Sequence, residues 1–414
     1  MLKCDVMAGD VRESLKRIPD GSVHCCVTSP PYLGLRSYLP KGHPDKHREI
    51  GQEATPDLFV QTMVEVFREV RRCLHESGTL WLNLGDTYNG YMANQRGTSL
   101  EECRQESRPF FDPGTGLRTD GLKPKDLCLI PERAVLALQG DGWWVRSKIV
   151  WHKRSCMPES VTDRPTNSWE PIFLLAKSQR YFYDAEAVKE KQTESSAERA
   201  QYGWSGRTDD GSNGARTGSS FKHMAESGEG MLTIPADGLR NQRNVWSLGP
   251  EPYSEAHFAT FPTEIPRRAI LAGTSARGCC PKCGEPWVRV VEKGLTAHDG
   301  DTASAYEKGS TANRLAKLRQ AARERGGEYS NESRTVGWEA GCECHFGVMR
   351  QKGQLEYEPE PPIPCTVLDP FGGSGTTGAV ALELGRRAIL CELNPDYLEL
   401  IGQRTHVTPG LQLA

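Results

Sequence analysis

The chain predicts an α/β fold: a mostly parallel sheet with helices on both faces and an antiparallel hairpin at one edge. Three observations carry this expectation. Short apolar strands alternate with segments of helical periodicity at both ends of the chain. Residues 366–378 run from the apolar Thr366-Val367-Leu368-Asp369 into Pro370-Phe371-Gly372-Gly373-Ser374-Gly375 and then Thr376-Thr377-Gly378, a strand entering a glycine-rich turn that opens a helix. Two apolar strands, 143–151 and 171–176, follow one another with no helical period between them, the pattern of an antiparallel pair.

The elements are read in order as follows. Residues 3–8 and 23–28 are short buried strands, and the apolar residues of 11–18 between them fall at helical spacing, a β-α-β start. Leu58, Phe59, Met63, Val66, Phe67, Val70 and Leu74 recur at the spacing of an amphipathic helix, after which Gly78 ends the connection before a strand at 79–84. From Asp86 to Gly121 no period is sustained, and a mobile surface loop is expected. A helix is expected from Pro124 through Leu138, ahead of the two hairpin strands. Residues 185–250 hold many Gly, Ser, Arg, Asn and Glu and few branched aliphatics, so they form a polar insertion that cannot build a core unaided. A helix at 264–272, an interruption across 276–350, a strand at 365–369, a helix at 376–384 and a strand at 388–392 complete the chain. Five segments result: 1–184 and 351–414 as halves of one core, 185–252 and 276–350 as insertions, and 253–275 as a helix-opening segment between them.

A chain of 414 residues can bury a substantial core without disulfide staples. With 51 Lys and Arg against 54 Asp and Glu, the formal charge is -3, so any nucleic-acid surface has to be a local patch. No apolar run approaches the roughly 18 to 20 residues of a membrane helix, and no signal-peptide core follows Met1, so a cytoplasmic protein without membrane contact is expected. Of the 14 cysteines, Cys25, Cys26, Cys128, Cys365 and Cys391 stand singly in apolar runs and read as small buried thiols. Cys279, Cys280, Cys283, Cys342 and Cys344 have ligand-like spacing instead. Cys280-Pro281-Lys282-Cys283 and Cys342-Glu343-Cys344-His345 supply two close ligand pairs, and Gly278, Pro281 and Gly284 give the first pair the turn a knuckle needs, so a structural zinc ion on Cys280, Cys283, Cys342 and Cys344 is expected, with Cys279 as the alternative to Cys280 and His345 to Cys344.

The glycine turn carries chemistry of its own. Gly372, Gly373 and Gly375 allow close backbone approach, Thr376-Thr377 can cap the helix, and Glu392 ends the next strand, where an acid can accept hydrogen bonds from two ribose hydroxyls. No Gly-Lys-Ser/Thr follows, which argues against an ATP phosphate cradle, and the glycine spacing does not match G-x-G-x-x-G; a smaller adenosyl ligand fits better than a dinucleotide. Near the other end, Ser29-Pro30-Pro31-Tyr32 follows an apolar strand. The two prolines fix the backbone, so that the Ser29 hydroxyl and neighbouring carbonyls point in a set direction beside the flat face of Tyr32. Oxygen acceptors beside a stacking surface suit an exocyclic amine, whose lone pair is delocalised into its ring and must be recovered by hydrogen bonding to its N–H groups. His152 reads as a phosphate or structural contact rather than a base. Arg314, Lys317, Arg319, Arg323 and Arg325 offer a basic helical face, and the 185–250 insertion, with Arg207, Arg216, Lys222, Arg240, Arg243, Tyr202, Trp204, Phe221 and Trp246, is the better candidate for reading bases.

Thr28-Ser29-Pro30-Pro31-Tyr32 followed far downstream by Asp369-Pro370-Phe371-Gly372-Gly373-Ser374-Gly375 resembles the S-adenosylmethionine-dependent DNA amino-methyltransferases of the permuted β class. The likeness extends to Gly9-Asp10, Asn83-Leu84-Gly85-Asp86, Trp151-His152-Lys153, Pro158-Glu159-Ser160 and the segment 257–262. It implies a Rossmann-like methyltransferase fold, circularly permuted, in which the strands from both termini meet at one site. It also implies that Ser29, Pro30, Pro31 and Tyr32 form the catalytic corner gripping a flipped base, and that Asp369, Phe371, Gly373 and Thr376 surround the methionine part of the cofactor, with Ser374 and Gly375 in the same binding loop. Glu392 would hold the ribose, Asp10 would lie near the adenine, and Phe261 and Pro262 would wall the pocket. Gly373 stands where many relatives carry a small side chain, a difference expected to be tolerated. Ser at the first motif position favours cytosine N4 over adenine N6, the alternative target. The implied partner is double-stranded DNA, read by a monomer or dimer of prokaryotic or phage origin beside a cognate restriction endonuclease. Competing readings are a non-catalytic zinc-containing DNA-binding protein on the same scaffold, and an RNA or protein-glutamine methyltransferase.

Overall fold

The structure, a computed structural model, describes residues 3–35, 37–39, 42–89, 122–123, 125–156, 158–191, 239–249, 251, 261–292, 334–349 and 355–406. The expected loop beyond residue 89, the basic stretch 314–325, residues 257–260, and Tyr202, Trp204, Arg207, Arg216, Phe221 and Lys222 lie outside the described residues. Two compact units emerge: Met1–Ala187 with Arg243–Val288 and Ala340–Ala414, and Val188–Gln242 with Arg289–Glu339.

The first unit is built on one sheet of eight strands: β1 (Cys4–Ala8), β2 (Val23–Thr28), β3 (Leu74–Asn83), β4 (Trp144–Lys153), β5 (Trp169–Ala176), β6 (Val245–Leu248), β7 (Thr366–Asp369) and β8 (Arg387–Glu392). Their order across the sheet is β1-β8-β7-β2-β3-β5-β4-β6. Neighbours from β1 to β3 run parallel, β5 is antiparallel to both β3 and β4, and β6 is parallel to β4. This is the mixed, mostly parallel sheet that the sequence predicts. Strand β2 is buried at every position, which is why its sequence is a continuous run without alternation.

Among the described residues, six α-helices accompany the sheet: α1 (Val11–Lys16), α2 (Pro56–Cys73), α3 (Ile130–Gly140), α4 (Glu264–Gly273), α5 (Thr376–Glu383) and α6 (Pro395–Thr405). Thr55 caps α2 by accepting from Leu58 N at 3.2 Å, and the helix buries Phe59, Met63, Val66, Phe67 and Val70. Each such side chain contributes on the order of 1.5–3 kcal/mol of burial. Leu58, read as part of that stripe, is 46% exposed instead. The singly placed Cys25, Cys26, Cys128, Cys365 and Cys391 are all buried thiols.

Four expectations change. Helix α3 starts at Ile130 rather than Pro124, because Lys125 and Leu129 hold left-handed backbone at φ 70° and 55°. Strand β3 starts at Leu74, and Gly78 lies inside it. The register passes from Val23 opposite Leu74 to Cys25 opposite Thr79, so β3 bulges there and lifts His75 out of the ladder. The hairpin of β4 and β5 is not the edge of the sheet, because β6, from within the expected 185–252 insertion, adds beyond it. Trp246 of β6 is 1% exposed and stacks on Trp81 with ring centroids 6.1 Å apart, so it is a core residue and not a reader of bases.

In the second unit, Glu190–Lys191 pairs antiparallel with Leu239–Arg240, and Arg240 forms an ion pair with Glu190 at 3.0 Å. Arg334–Glu339 pairs with the strand Val288–Glu292, and Arg289 lies over the Trp338 ring at 4.5 Å.

Candidate active site

The strand order brings the two chain ends side by side, and a single buried acid fixes the join. Thr28, the last residue of β2, donates from Oγ1 to Asp369 Oδ1 at 2.7 Å; Thr377 of α5 donates to Asp369 Oδ2 at 2.7 Å, and Phe371 N donates to Oδ1 at 3.1 Å. Asp369 is 1% exposed, and burial pushes its carboxyl up to about 7 against the opposing pull of Thr28, Thr377 and Phe371. Its role in the structure is that of a post joining β7, β2 and α5.

A cavity of about 390 Å³ opens where these strands end, within the range of small-molecule sites. Of the residues expected to bind base or cofactor, Asp10, Ser29, Pro30, Pro31, Tyr32, Phe261, Asp369, Phe371, Gly373, Ser374, Thr376 and Glu392 line it. Gly375 and Pro262 do not. Gly375 stands just before α5 at φ +80°, and Pro262 is buried ahead of α4, its carbonyl accepting from Ile265 N at 3.0 Å.

Glu392 holds the glycine loop: Gly373 N donates to Oε2 and Asn394 N to Oε1, both at 2.7 Å. Burial raises its carboxyl to about 7, opposed by the bonds from Asn394, Gly373 and Leu393. Gly373 has φ +51°, so although a Cβ there would meet nothing closer than Phe371 O at 3.9 Å, its left-handed backbone would strain a side chain and favours glycine. The hydroxyls of Ser374 and Thr376 are 3.3 Å apart and both accept from Arg404 Nη1, at 3.1 and 2.9 Å, which brings a positive charge to the loop. Asp10 caps α1, accepting from Arg12 N at 2.8 Å, and pairs with Arg12 at 2.6 Å and Arg48 at 2.9 Å. Although burial opposes it, Arg12 and Arg48 hold Asp10 below the usual carboxylate range.

At the other end of the cavity, Ser29 Oγ donates to the Tyr32 hydroxyl at 3.3 Å, and that hydroxyl contacts Glu170 Oε2 at 2.9 Å and Asn83 Oδ1 at 3.2 Å. Burial and the Glu170 charge push the Tyr32 phenol well up, so it remains a protonated donor. The Asn83-Leu84-Gly85-Asp86 segment serves this corner in three ways. Asn83 meets the phenol; a Cβ at Gly85 would lie 2.2 Å from Tyr32 Cε2, so only glycine leaves space for the ring; and Asp86 Oδ1 accepts from Ile130 N at 3.0 Å, capping α3. His152 is exposed and contacts Ser247 Oγ at 3.1 Å, consistent with a structural contact.

Several lining residues escaped the sequence reading. Glu170 comes from β5, and Tyr38, Leu39 and Glu49 from the segment after Tyr32; Lys153 of β4, quoted above only as part of the likeness and without a role, lines the cavity as well. Asn394 reaches that segment through Nδ2, which donates to Tyr38 O at 3.0 Å, and the Tyr38 and Tyr397 rings meet edge-on at 6.3 Å. The usable signal was a charged residue at the mouth of an otherwise apolar strand, as Glu170 is in β5.

The sulfur atoms of Cys280, Cys283, Cys342 and Cys344 all lie within 4.8 Å of one another. This cluster belongs by its packing to the first unit. His24 Nε2 meets Gly284 O at 2.8 Å, His75 Nε2 meets Cys283 O at 3.1 Å, and Cys279 and Ile363 exchange backbone bonds of 2.8 and 2.9 Å just ahead of β7. His24, Cys279 and Cys365 form a second close group. There, however, His24 Nδ1 accepts from Thr366 N at 3.0 Å and the other nitrogen is used by Gly284, so the ring has no lone pair left for a metal.

The family model described as DNA methylase, N6_N4_Mtase, matches residues 23–280 and 365–403, well over half of the chain. The chain is 36% identical over 402 residues to the type II methyltransferase M.SmaI of Serratia marcescens, covering 97% of this chain and 90% of that protein. It is 41% identical over 267 residues to the type II methyltransferase M.Cfr9I of Citrobacter freundii, covering 64% of this chain and 71% of that protein. Among solved structures, the cytosine-N4-specific PvuII DNA methyltransferase is similar over 97% of this chain and 86% of that one, at 13% identity and a TM-score of 0.48. The two matched blocks are the ones that Thr28 and Asp369 join, and the chain belongs to the N6/N4 DNA methylase family as an S-adenosylmethionine-dependent DNA amino-methyltransferase.

Proposed function

We propose that this protein methylates N4 of cytosine in double-stranded DNA, after the base has left the duplex, as the modification partner of a restriction endonuclease. The observation that carries the reading is the convergence of Ser29 and Glu392 on one cavity. The cavity fits the cofactor: Glu392 retains lone pairs for ribose hydroxyls, Gly373 allows close approach, and Arg404 behind Ser374 and Thr376 suits a carboxylate. S-adenosylmethionine supplies an electrophilic methyl group. Ser29 Oγ and the fixed carbonyls of the Pro30-Pro31 corner accept from the amine N–H groups, returning the lone pair to nitrogen, while the Tyr32 ring gives the base a face to stack on. The nitrogen gains a methyl group and releases one proton. The assembly of the site from two distant blocks, with the base corner ahead of the cofactor loop, supports a circularly permuted methyltransferase fold.

The four-cysteine cluster fits a structural zinc ion, since four thiolates at Zn–S distances of about 2.3 Å close a tetrahedron of this size. The described part of the polar insertion, with Arg240 and Arg243, together with its remaining Arg, Lys and aromatic residues, is proposed to read the DNA sequence.

The test is expression in a host lacking DNA methylation, followed by mass spectrometry of digested genomic DNA. N4-methylcytosine is expected, reduced at least about 100-fold in Ser29→Ala if this acceptor acts in the transition state. N6-methyladenine as the sole product would overturn the choice of base.

A further inference from the structure

The cavity carries a polar feature that the Ser29–Tyr32 corner does not account for. Glu170, near the start of β5, pairs with Lys153, at the end of β4, at 2.5 Å, with side chains only 15% and 31% exposed. The second Glu170 oxygen contacts the Tyr32 hydroxyl at 2.9 Å and accepts from Asn83 Nδ2 at 3.3 Å. Lys153 Nζ also lies 5.0 Å from the centre of the Trp151 ring, and Trp151 is the register partner of Glu170 across the two strands. One wall of the cavity therefore presents, in order, the Ser29 hydroxyl, the Tyr32 hydroxyl, the Glu170 carboxylate and the Lys153 ammonium, each in contact with the next.

This series of groups discriminates between the two candidate bases. The pairing edge of cytosine offers an amino donor, a ring-nitrogen acceptor and a carbonyl acceptor. That of adenine offers an amino donor, a ring-nitrogen acceptor and a C–H group. With the amino group at Ser29, a cation at the far end of the wall finds an acceptor only on cytosine. We propose that Lys153 is a specificity-determining residue that donates to the 2-carbonyl oxygen of the target cytosine, and that Glu170 is the positioning residue that aims it. An ammonium has three protons, so Lys153 can hold Glu170 and donate to a base together. Glu170 offsets the cost of holding Lys153 in a partly enclosed wall and ties its position to Tyr32, so the two ends of the base site are set by one carboxylate. The inference rests on the cytosine reading above and extends it to a named group on the base.

The experiment uses the full chain and the methylated site located in the genomic DNA of the expressing host. A duplex carrying that site is made in two forms, one with the target cytosine and one with a 2-aminopyridine C-nucleoside in its place. The analogue keeps the amino group and ring nitrogen but lacks the carbonyl. Wild type should favour cytosine by about 10- to 100-fold in kcat/KM, the range for a hydrogen bond to a charged group, and Lys153→Met should treat the two alike to within about twofold. Glu170→Gln should lose much of the preference together with kcat, and Glu170→Asp should restore part of both. Equal wild-type rates on the two duplexes, or an undiminished preference in Lys153→Met, would overturn the proposal. The wild-type comparison needs no variant, so a misfolded mutant cannot hide the answer. A host genome containing only N6-methyladenine removes the cytosine reading and this inference with it, whereas N4-methylcytosine without a carbonyl preference removes the inference alone.

Discussion

Asp369 and Glu392 are carboxyls that burial pushes up to about 7, from ordinary values of 3.8 and 4.5. Each keeps its proton when folded over a pH range in which the unfolded chain has already lost it. The stability that this contributes is fully present below about pH 4 and is lost as pH rises through about 7. In Glu392→Gln, neutral at every pH, Tm should therefore fall less steeply than in wild type between about pH 5 and pH 7.5. The same residue gives a binding prediction. A cofactor of net positive charge favours the ionised carboxylate, so binding should release protons and Kd should fall as pH rises through about 7. Calorimetry in two buffers of different ionisation enthalpy reads that release directly. Gly85 is the other residue whose role is sharp. Gly85→Ala would drive a methyl group into the Tyr32 ring; a destabilisation of about 1–3 kcal/mol is expected by chemical denaturation, with a loss of activity larger than its effect on cofactor affinity.

At the scale of elements, the cysteine knuckle is stapled to the core sheet. Its carbonyls at Cys283 and Gly284 meet His75 in the bulge of β3 and His24 in β2, and Cys279 pairs with Ile363 ahead of β7. An insertion unfolding by itself would leave the chemistry untouched. The observed contacts lead to a different outcome: stripping the proposed zinc ion with a strong chelator should lower Tm and methyl transfer together, and readdition of zinc should restore both. Retained activity in metal-free protein, verified by elemental analysis, would show that the staple is dispensable. The bulge at Gly78 that presents His75 was unreadable as a bulge, because a glycine after a helix looks the same as a connection.

Across the whole molecule, the bond from Thr28 to Asp369 joins strands that stand at opposite ends of the chain. Thr28→Val keeps the shape of the side chain but leaves Asp369 Oδ1 with one donor, Phe371 N. Measured above about pH 8, where the Asp369 carboxyl is ionised, a loss of about 1–3 kcal/mol in unfolding free energy is expected, with recovery of part of it in the Thr28→Val, Asp369→Asn double variant because the buried charge is gone. A strictly additive double variant would argue that the two residues act independently.

The sequence by itself determined the alternation of strands and helices, the glycine turn at 372–375, the proline-fixed corner at 29–32 and the spacing of the cysteine pairs, because each follows from local rules of backbone geometry and burial period. Only the tertiary structure decided that β6 closes the sheet with a buried Trp246, that Arg404 serves the hydroxyls of Ser374 and Thr376, and that Glu170 and Lys153 complete the wall beginning at Ser29. These depend on pairings between residues distant in the chain, where a charged or aromatic side chain has the same local signature whether it faces solvent, core or cavity. The position of its strand in the sheet order selects among the three.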